Sequence, residues 1–399
     1  MSVSDPVAGG EPSRTTGAGG AGRSRPVQPS GDLLAPLRQR LFRPAGPGAG
    51  SDGSAGSPVS IGGRRSPRTW PQWARLAAFI VAAALAPLVV SGAYQLGIAT
   101  LVLIYVVVSL GFYLVFCLTG QFSFAQAAMF GLGAYVGAWA DRFTGFWLSL
   151  VIAVAITAAV AALFLLLVRR ASELYFAIAT LGFAEVAILV FQNWTAFTGS
   201  GGEVQLTTGI SVFGAVVDTP AGQFWLALGF AGVALILVKL VELSPMRREA
   251  VAVRDHERVA LGMGVNTLRV RVVMFALGSA FAAAAGSLFA TTQGFIDPDS
   301  FAVGLGIDIF LVVILGGVGS MWGTVVGSIF VVALPEIARP AATYSDLIFS
   351  VCLLVVIFLL PQGFGGILQQ ARTALIVRRQ KAAAGGLPVT DQAAAEGDR

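Results

Sequence analysis

Residues 96–118 read LGIATLVLIYVVVSLGFYLVFCL, an apolar run of 23 residues without a charged side chain. An α-helix rises about 1.5 Å per residue, so this run is long enough to cross about 30 Å of hydrocarbon. Similar runs recur along the chain, and the sequence predicts an all-α integral membrane protein with about ten transmembrane helices. The expected spans are Leu76–Gly92, Leu96–Leu118, Gln121–Ala140, Phe146–Val168, Leu174–Trp194, Gln223–Val241, Arg271–Thr292, Val303–Gly319, Met321–Ala338 and Ser345–Pro361.

The overall composition excludes several classes of protein. Hydrophobic residues make up 56% of the chain and charged residues only 12%, which is too few charges for a soluble surface. With two cysteines and one histidine, neither a disulfide framework nor a metal site is expected. The only lysines are Lys239 and Lys381, and neither follows the glycines of a phosphate-binding loop, so we expect no nucleotide hydrolysis by this chain. No nucleic-acid partner is expected either, because the basic residues are confined to particular loops.

The chain divides into three compositional regions. Residues 1–70, rich in Gly, Pro, Ser and Arg, are expected to form a disordered leader; residues 71–368 form the membrane domain, and residues 369–399 a tail. Under the ten-span arrangement, Arg142 and Arg339 are the only two of the 26 basic residues that fall outside. Because cytoplasmic loops collect Lys and Arg, the sequence predicts a multi-pass protein of the inner (plasma) membrane, in contact with lipid, with both termini cytoplasmic.

Polar side chains inside the predicted spans are candidates for a solute pathway. A carboxylate at the bilayer centre costs about 2.5–3.5 kcal/mol, so each buried acid should face a partner, water or a cavity. Hydrogen bonding between helices is the alternative for all of them, and a proton-coupled secondary transporter would use the acids as relays. The candidates are Gln121, Ser123, Gln126, Thr180, Glu185 and Asp308.

Small residues recur at four-residue spacing within the spans. Such spacing lets two helix backbones approach closely in a membrane, so we expect these glycines to serve in helix packing. They are Gly133, Gly137, Gly316, Gly317, Gly319, Gly323 and Gly327.

A polar segment of 28 residues, 244–271, lies between two spans on the predicted cytoplasmic side. Helical spacing brings Ala250, Val253, Ala260 and Leu261 to one side, so the segment is predicted to form an amphipathic helix. A solvated connector is the alternative, but a helix of this kind is suited to docking in a groove of a partner.

Five motifs in order resemble the LivM-like permease subunits of branched-chain amino-acid ATP-binding-cassette (ABC) importers. The resemblance covers about residues 96–366. Two segments depart from the family pattern: TGSGGEV from Thr198 carries Glu203 where relatives have a small residue, and Gln362 stands where a basic residue is usual. The motifs are LTGQFSFAQAAMFGLGAY (118–135), LYFAIATLGFAEV (174–186), RREAVAVRDHERVALGMGVN (247–266), GFIDPDSFAVGLGIDIFLVVILGGVGSMWGTVVGS (294–328) and LLPQGFGGI (359–367).

The resemblance implies a permease that is not itself an enzyme and binds no cofactor. It implies ATP and Mg on two separate ATPase subunits, a second permease subunit and an extracytoplasmic solute-binding protein. Branched-chain amino acids are the implied solute; urea or short amides, a proton-coupled secondary transporter and a membrane-anchored scaffold are the alternatives. The implied ATPase-coupling residues are Arg248, Glu249, Ala250, Ala252, Arg254, Asp255, Leu261 and Gly262.

Overall fold

The structure is a computed structural model that describes residues 81, 83, 92–198, 202–205, 211–212, 215–216, 219–339, 345–359 and 363–366. The predicted leader, the predicted tail and almost all of the first predicted span lie outside these residues.

The described residues are mostly helical, and the main helices are numbered α1–α12 in chain order. A π-helical segment, Leu114–Leu118, continues α1, and a 3₁₀ turn, Pro298–Phe301, precedes α10. The helices are α1 Ala93–Tyr113, α2 Ala125–Thr144, α3 Phe146–Val168, α4 Glu173–Asn193, α5 Thr195–Thr198, α6 Pro220–Leu243, α7 Pro245–Asp255, α8 Glu257–Gly262, α9 Thr267–Gln293, α10 Val303–Gly316, α11 Met321–Ala338 and α12 Ser345–Leu359.

Six of these helical stretches are long and apolar enough to cross a membrane. They are α1 with its π segment, α3, α4, α6, α9, and α10 with the 3₁₀ turn before it. Among the described residues, α11 is apolar but shorter than these six. Helix α2 is not one of the helices that are long and apolar enough to cross. The membrane class is therefore confirmed, whereas the predicted number of about ten spans is not.

Where helices do form, their bounds follow the apolar runs closely. Helix α3 has the predicted bounds Phe146–Val168, and α11 has the predicted bounds Met321–Ala338. Helix α9 begins four residues before the predicted Arg271, because the Asn266 side chain accepts a hydrogen bond from the Arg269 amide at 3.0 Å and caps the helix there.

The centre of the bundle is formed by α1 and α9. In the most apolar window of α1, 78% of the residues are buried, and the value for α9 is 61%, against 22% in both α3 and α4. Helices α3 and α4 therefore lie at the periphery of the isolated chain and expose apolar surface, as expected where lipid or another subunit covers them.

Glycines at the helix crossings are required by close backbone contacts. A Cβ at Gly286 of α9 would overlap the Phe130 carbonyl oxygen of α2, and one at Gly133 would overlap the Ala283 backbone. Gly137 faces Ser287 in the same crossing. Helices α10 and α11 cross in the same way, through Gly316, Gly323 and Gly327.

Two glycines predicted to serve in packing have a different role. Gly317 and Gly319 lie in the turn between α10 and α11 with φ of 95° and 98°. At Gly319 a Cβ would meet nothing within 4 Å, so the left-handed backbone explains this glycine and helix packing does not. The turn also ends α10 at Gly316, before the predicted Gly319.

Short strands connect the segments at the end of the bundle where α4 ends and α6 begins. β1 (Val204–Gln205) pairs antiparallel with β4 (Phe295–Ile296), and β2 (Ser211–Val212) pairs with β3 (Ala215–Val216). The first pairing joins the segment after α5 to the segment that follows α9.

We predict that Gly286→Ala destabilises the protein, because the new methyl group has no space against the α2 backbone. Overpacking of this kind costs about 1–3 kcal/mol. The measurement is thermal unfolding of the detergent-solubilised protein. Gly229→Ala in α6 is the matched control, since Gly229 has open space around it. Equal melting temperatures for both variants would contradict the tight α2–α9 crossing.

Candidate solute pathway and coupling surface

The helical path of the chain is interrupted between α1 and α2. The π segment ends at Leu118, and the chain from Gly120 to Ser123 is not helical. Two hydroxyl groups satisfy amides at the start of α2: Ser123 Oγ accepts from the Ala125 amide at 3.2 Å, and Thr180 Oγ1 of α4 accepts from the Phe124 amide at 3.1 Å. These two hydrogen bonds satisfy amides that the first turn of α2 leaves without helical partners.

The Gln126 side chain links α2 to α9 by a hydrogen bond to a backbone carbonyl. Its side-chain amide donates to the Gly278 carbonyl oxygen of α9 at 2.9 Å, and the side chain is almost completely buried. At this crossing a Cβ on Gly111 of α1 would lie 2.5 Å from the same oxygen. Of the two interpretations that the sequence left open for Gln126, the structure shows the interhelical hydrogen bond.

Thr180 is fully engaged within the protein. Its hydroxyl donates to the Ala177 carbonyl at 2.8 Å in addition to accepting from Phe124, and the residue is completely buried. In this conformation Thr180 positions the α1–α2 connection and offers no free group to a solute.

Gln121 differs from its neighbours because neither its amide nitrogen nor its amide oxygen has a hydrogen-bond partner among the described residues. The residue is only 8% exposed. Buried amide groups are normally hydrogen-bonded. Gln121 therefore has its whole amide group unused, whereas in Gln126 only the amide oxygen lacks a partner among the described residues.

The two membrane acids differ in their surroundings. Glu185 is exposed on the outer face of α4, whereas the buried line of that helix consists of Phe176, Thr180, Ala184 and Ile188. Asp308 of α10 is half-buried and forms no ion pair within the described part of the chain. The structure therefore brings Gln121, Ser123, Gln126 and Thr180 together and does not bring Glu185 to them.

The segment predicted as one amphipathic helix forms two helices, α7 and α8, which break at His256 with φ −151°. Ala250 and Val253 of α7 and Ala260 of α8 are buried against the bundle. Leu261, predicted on the same side, is 54% exposed, because the break changes the direction of α8. We call the end of the bundle that carries α7 and α8 the loop end.

The exposed side of this segment carries the remaining predicted coupling residues. Arg248, Glu249 and Asp255 are exposed, Ala252 is half-buried, and Gly262 is exposed with open space around it. The apolar side chains of Val259, Leu261 and Met263 are 56%, 54% and 79% exposed. An apolar cluster on a loop segment that is rimmed by charges is typical of a protein contact surface.

Arg254, which the resemblance implied as an ATPase-coupling residue, makes its contacts with the bundle. Its Nη1 donates to the Cys117 carbonyl oxygen at 2.6 Å, and its Nε bonds Asp255 at 2.9 Å. The aliphatic stem lies over Gly120, whose φ of 74° and lack of a side chain leave room for it. Arg254 thereby joins α7 to the α1–α2 connection, a contact that no sequence pattern indicates.

A further set of polar residues was not predicted from the sequence to belong to a site. Arg169, Glu173 and Arg271 line a cavity at the loop end together with Gln121. In the sequence, Arg169 and its neighbour Arg170 indicate only which side of the membrane their turn occupies. Among the described residues, no group of three or more His, Cys, Asp or Glu side chains is arranged to hold a metal ion.

Six membrane-length helices in the described part of the chain, with a polar connection between α1 and α2 and an amphipathic segment at one end, are the features of a multi-pass membrane protein. The chain belongs to the family described as "Branched-chain amino acid transport system / permease component", which it matches over residues 94–360. The resemblance to LivM-like permease subunits of ABC importers is thereby confirmed.

Several curated relatives match the chain. The high-affinity branched-chain amino acid transport system permease protein LivM of Escherichia coli K12 is 28% identical over 313 residues, which cover 72% of this chain and 73% of the relative. The corresponding LivH of Salmonella typhimurium is 25% identical over 66% of this chain and 91% of its own length. The autoinducer 2 import system permease protein LsrC of Escherichia coli O157:H7 is 31% identical over 39% of this chain and 46% of its length. No solved structure matches the chain significantly.

We predict that Arg254→Ala loosens the α1–α2 connection, because the Cys117 carbonyl loses its donor. A hydrogen bond to a charged group contributes about 1.5–3 kcal/mol, so amide hydrogen exchange in residues 114–124 should accelerate about tenfold or more. Arg258→Ala is the matched control, since Arg258 is exposed on the same segment. Unchanged exchange in the Arg254 variant would show that the contact does not hold this connection.

Proposed function

We propose that this chain is the membrane subunit of an ATP-driven importer for branched-chain amino acids in the inner membrane. Its expected partners are a second permease subunit, two ATPase subunits that bind ATP and Mg, and an extracytoplasmic binding protein. The observation that carries the proposal is the family match over residues 94–360, together with relatives whose names specify branched-chain amino acid transport. The ten-span arrangement with cytoplasmic termini is part of the proposal and places the loop end in the cytoplasm.

The surface of α8 supports a contact with the ATPase subunits. Val259, Leu261 and Met263 are exposed there, and Gly262 lies between them without a side chain. Burial of about 25 cal/mol per Å² of apolar surface favours docking in a cleft. Because Arg254 joins the neighbouring helix α7 to the α1–α2 connection, movement of the docked segment is transmitted to the membrane helices.

The exposed face of α4 supports a contact with the second permease subunit. This face carries Leu181, Gly182, Glu185 and Leu189, and its carboxylate would meet lipid if the chain acted alone. Exposure of a carboxylate to hydrocarbon is unfavourable, so a partner that offers a hydrogen-bond donor or a water-filled path covers Glu185 in the complex. The solute pathway then lies along this face of α4 and not within the isolated chain.

The test of the proposed function is uptake by the complete transporter in proteoliposomes. Labelled leucine should enter only with ATP and binding protein present, and unlabelled isoleucine or valine should compete while urea should not. Uptake by this chain alone in an ion gradient would establish a secondary transporter instead. Competition by urea but not by isoleucine would assign the complex to short amides.

We predict that Gly262→Trp abolishes solute-stimulated ATP hydrolysis. The isolated chain has space for the new ring, so the variant should insert and fold normally, but the ring would prevent close docking. Gly262→Ala is the matched control and should retain most of the activity. Co-purification of the ATPase subunits and their hydrolysis rate are the measurements. Wild-type values for the Trp variant would exclude α8 from the ATPase contact.

We predict that Glu185→Leu lowers uptake and weakens association with the second permease while membrane insertion stays normal. If Glu185 faced lipid, the same change would instead stabilise the chain by about 2.5–3.5 kcal/mol and leave uptake unchanged. A stability measurement on the complex therefore separates the two cases: the variant is less stable if Glu185 contacts the second permease and more stable if it faces lipid. Val186→Leu, on the same exposed face, is the control.

A further inference from the structure

A cavity of about 130 Å³ opens at the loop end of the bundle. Its walls come from three places that are distant in sequence: the α1–α2 connection, the turn between α3 and α4, and the first turns of α9. Leu165, Val168 and Phe176 give the cavity an apolar side, and Leu268 adds to it.

The cavity holds buried polar atoms without partners. Gln121, which is 8% exposed, has neither its amide nitrogen nor its amide oxygen bonded to a described residue. The Nε of Arg271 is also buried without a partner among the described residues, although Nη2 of the same side chain bonds Glu257 at 3.0 Å. An unsatisfied buried polar group costs about 1–3 kcal/mol. These two donors and one acceptor belong to side chains of the cavity wall but are closed off from the cavity itself, so they gain partners only when the side chains turn toward a ligand.

The charges around the cavity select the chemistry of that ligand. Arg169 and Glu173 line it with opposite charges, and both are exposed. A simple anion would face Glu173, and a simple cation would face Arg169 and Arg271. A zwitterion satisfies both, with its carboxylate at the guanidinium groups and its ammonium group at the carboxylate and the Gln121 oxygen. The apolar side fits a short aliphatic side chain.

We propose that this cavity binds a free aliphatic α-amino acid from the cytoplasm and that its occupancy slows import. The inference rests on the proposed function for the identity of the solute and for the cytoplasmic position of the loop end. It assigns to this chain a product-binding site that is separate from the pathway along α4.

The link to transport follows from what else the cavity walls touch. Gly120 lines the cavity and also carries the Arg254 stem, while Cys117 just before it accepts the Arg254 hydrogen bond. On the other side, Arg271 lines the cavity and pairs with Glu257 in the first turn of α8. A ligand in the cavity therefore contacts the two attachments of the coupling segment and favours one position of α7 and α8 over another.

The experiment uses the complete transporter in proteoliposomes that contain ATP and a known internal concentration of leucine. Initial uptake of labelled substrate should fall severalfold as internal leucine rises, and internal urea should have no effect. Arg169→Gln and Glu173→Gln should each raise the half-inhibitory leucine concentration about tenfold, because each removes a charged hydrogen-bonding partner. Their uptake at negligible internal leucine should equal that of the wild type. Arg170→Gln, whose residue does not line the cavity, is the matched control.

A second measurement separates this proposal from the proposed function. Leucine should raise the melting temperature of the purified complex without its binding protein, and Arg169→Gln should abolish the shift while Arg170→Gln keeps it. If uptake of branched-chain amino acids fails but this shift persists, the function is wrong and the site remains. If uptake succeeds while internal leucine neither inhibits nor shifts the melting temperature, the site is wrong. If the Arg169 change abolishes a melting-temperature shift caused by phosphatidylglycerol vesicles, while leucine causes no shift in the wild type, the cavity binds a lipid headgroup. That result would overturn the proposal.

Discussion

The contact between Gly111 of α1 and Gly278 of α9 is the constraint on which the described bundle depends. Two mostly buried helices meet there so closely that a Cβ on either glycine would overlap the other helix. The Gln126 amide binds the Gly278 carbonyl in the same place and so brings the start of α2 into the crossing. In a membrane, van der Waals contact and interhelical hydrogen bonds must replace the hydrophobic drive between helices, and this crossing combines both.

Next to that crossing lies the connection between α1 and α2, which the coupling segment contacts. Between α1 and α2 the chain from Gly120 to Ser123 is not helical, and the hydroxyl groups of Thr180 and Ser123 accept from the first amides of the α2 end, those of Phe124 and Ala125. The resulting connection is rigid at its α2 side and is contacted by Arg254 at its α1 side. A change in the position of α7 therefore acts first, through Arg254, on the connection that contains Gly120 and Gln121, and only then on the packed helices.

The sequence predicts the helices well because hydrocarbon thickness sets their length. Phe146–Val168 is identical in prediction and structure, and the polar segment 244–271 that was predicted to be helical contains α7 and α8. Tertiary contacts were not predictable in the same way. Leu261 was predicted to share the apolar side of one helix with Ala250, Val253 and Ala260, but it is exposed where they are buried, because a single uninterrupted helix does not include the break at His256. Nothing in the pattern distinguished Gln121, which lacks partners, from Gln126, which has one, since the two differ only in what folds against them.

The peripheral position of α4 has a consequence for how the protein is made. Only about one fifth of its most apolar window is buried within the chain, and Glu185 lies on the uncovered side. On the function proposed above, a copy that has not yet met the second permease leaves this carboxylate uncovered, and assembly removes the cost of its exposure. Assembly and the stability of each copy in the membrane are therefore coupled through one side chain.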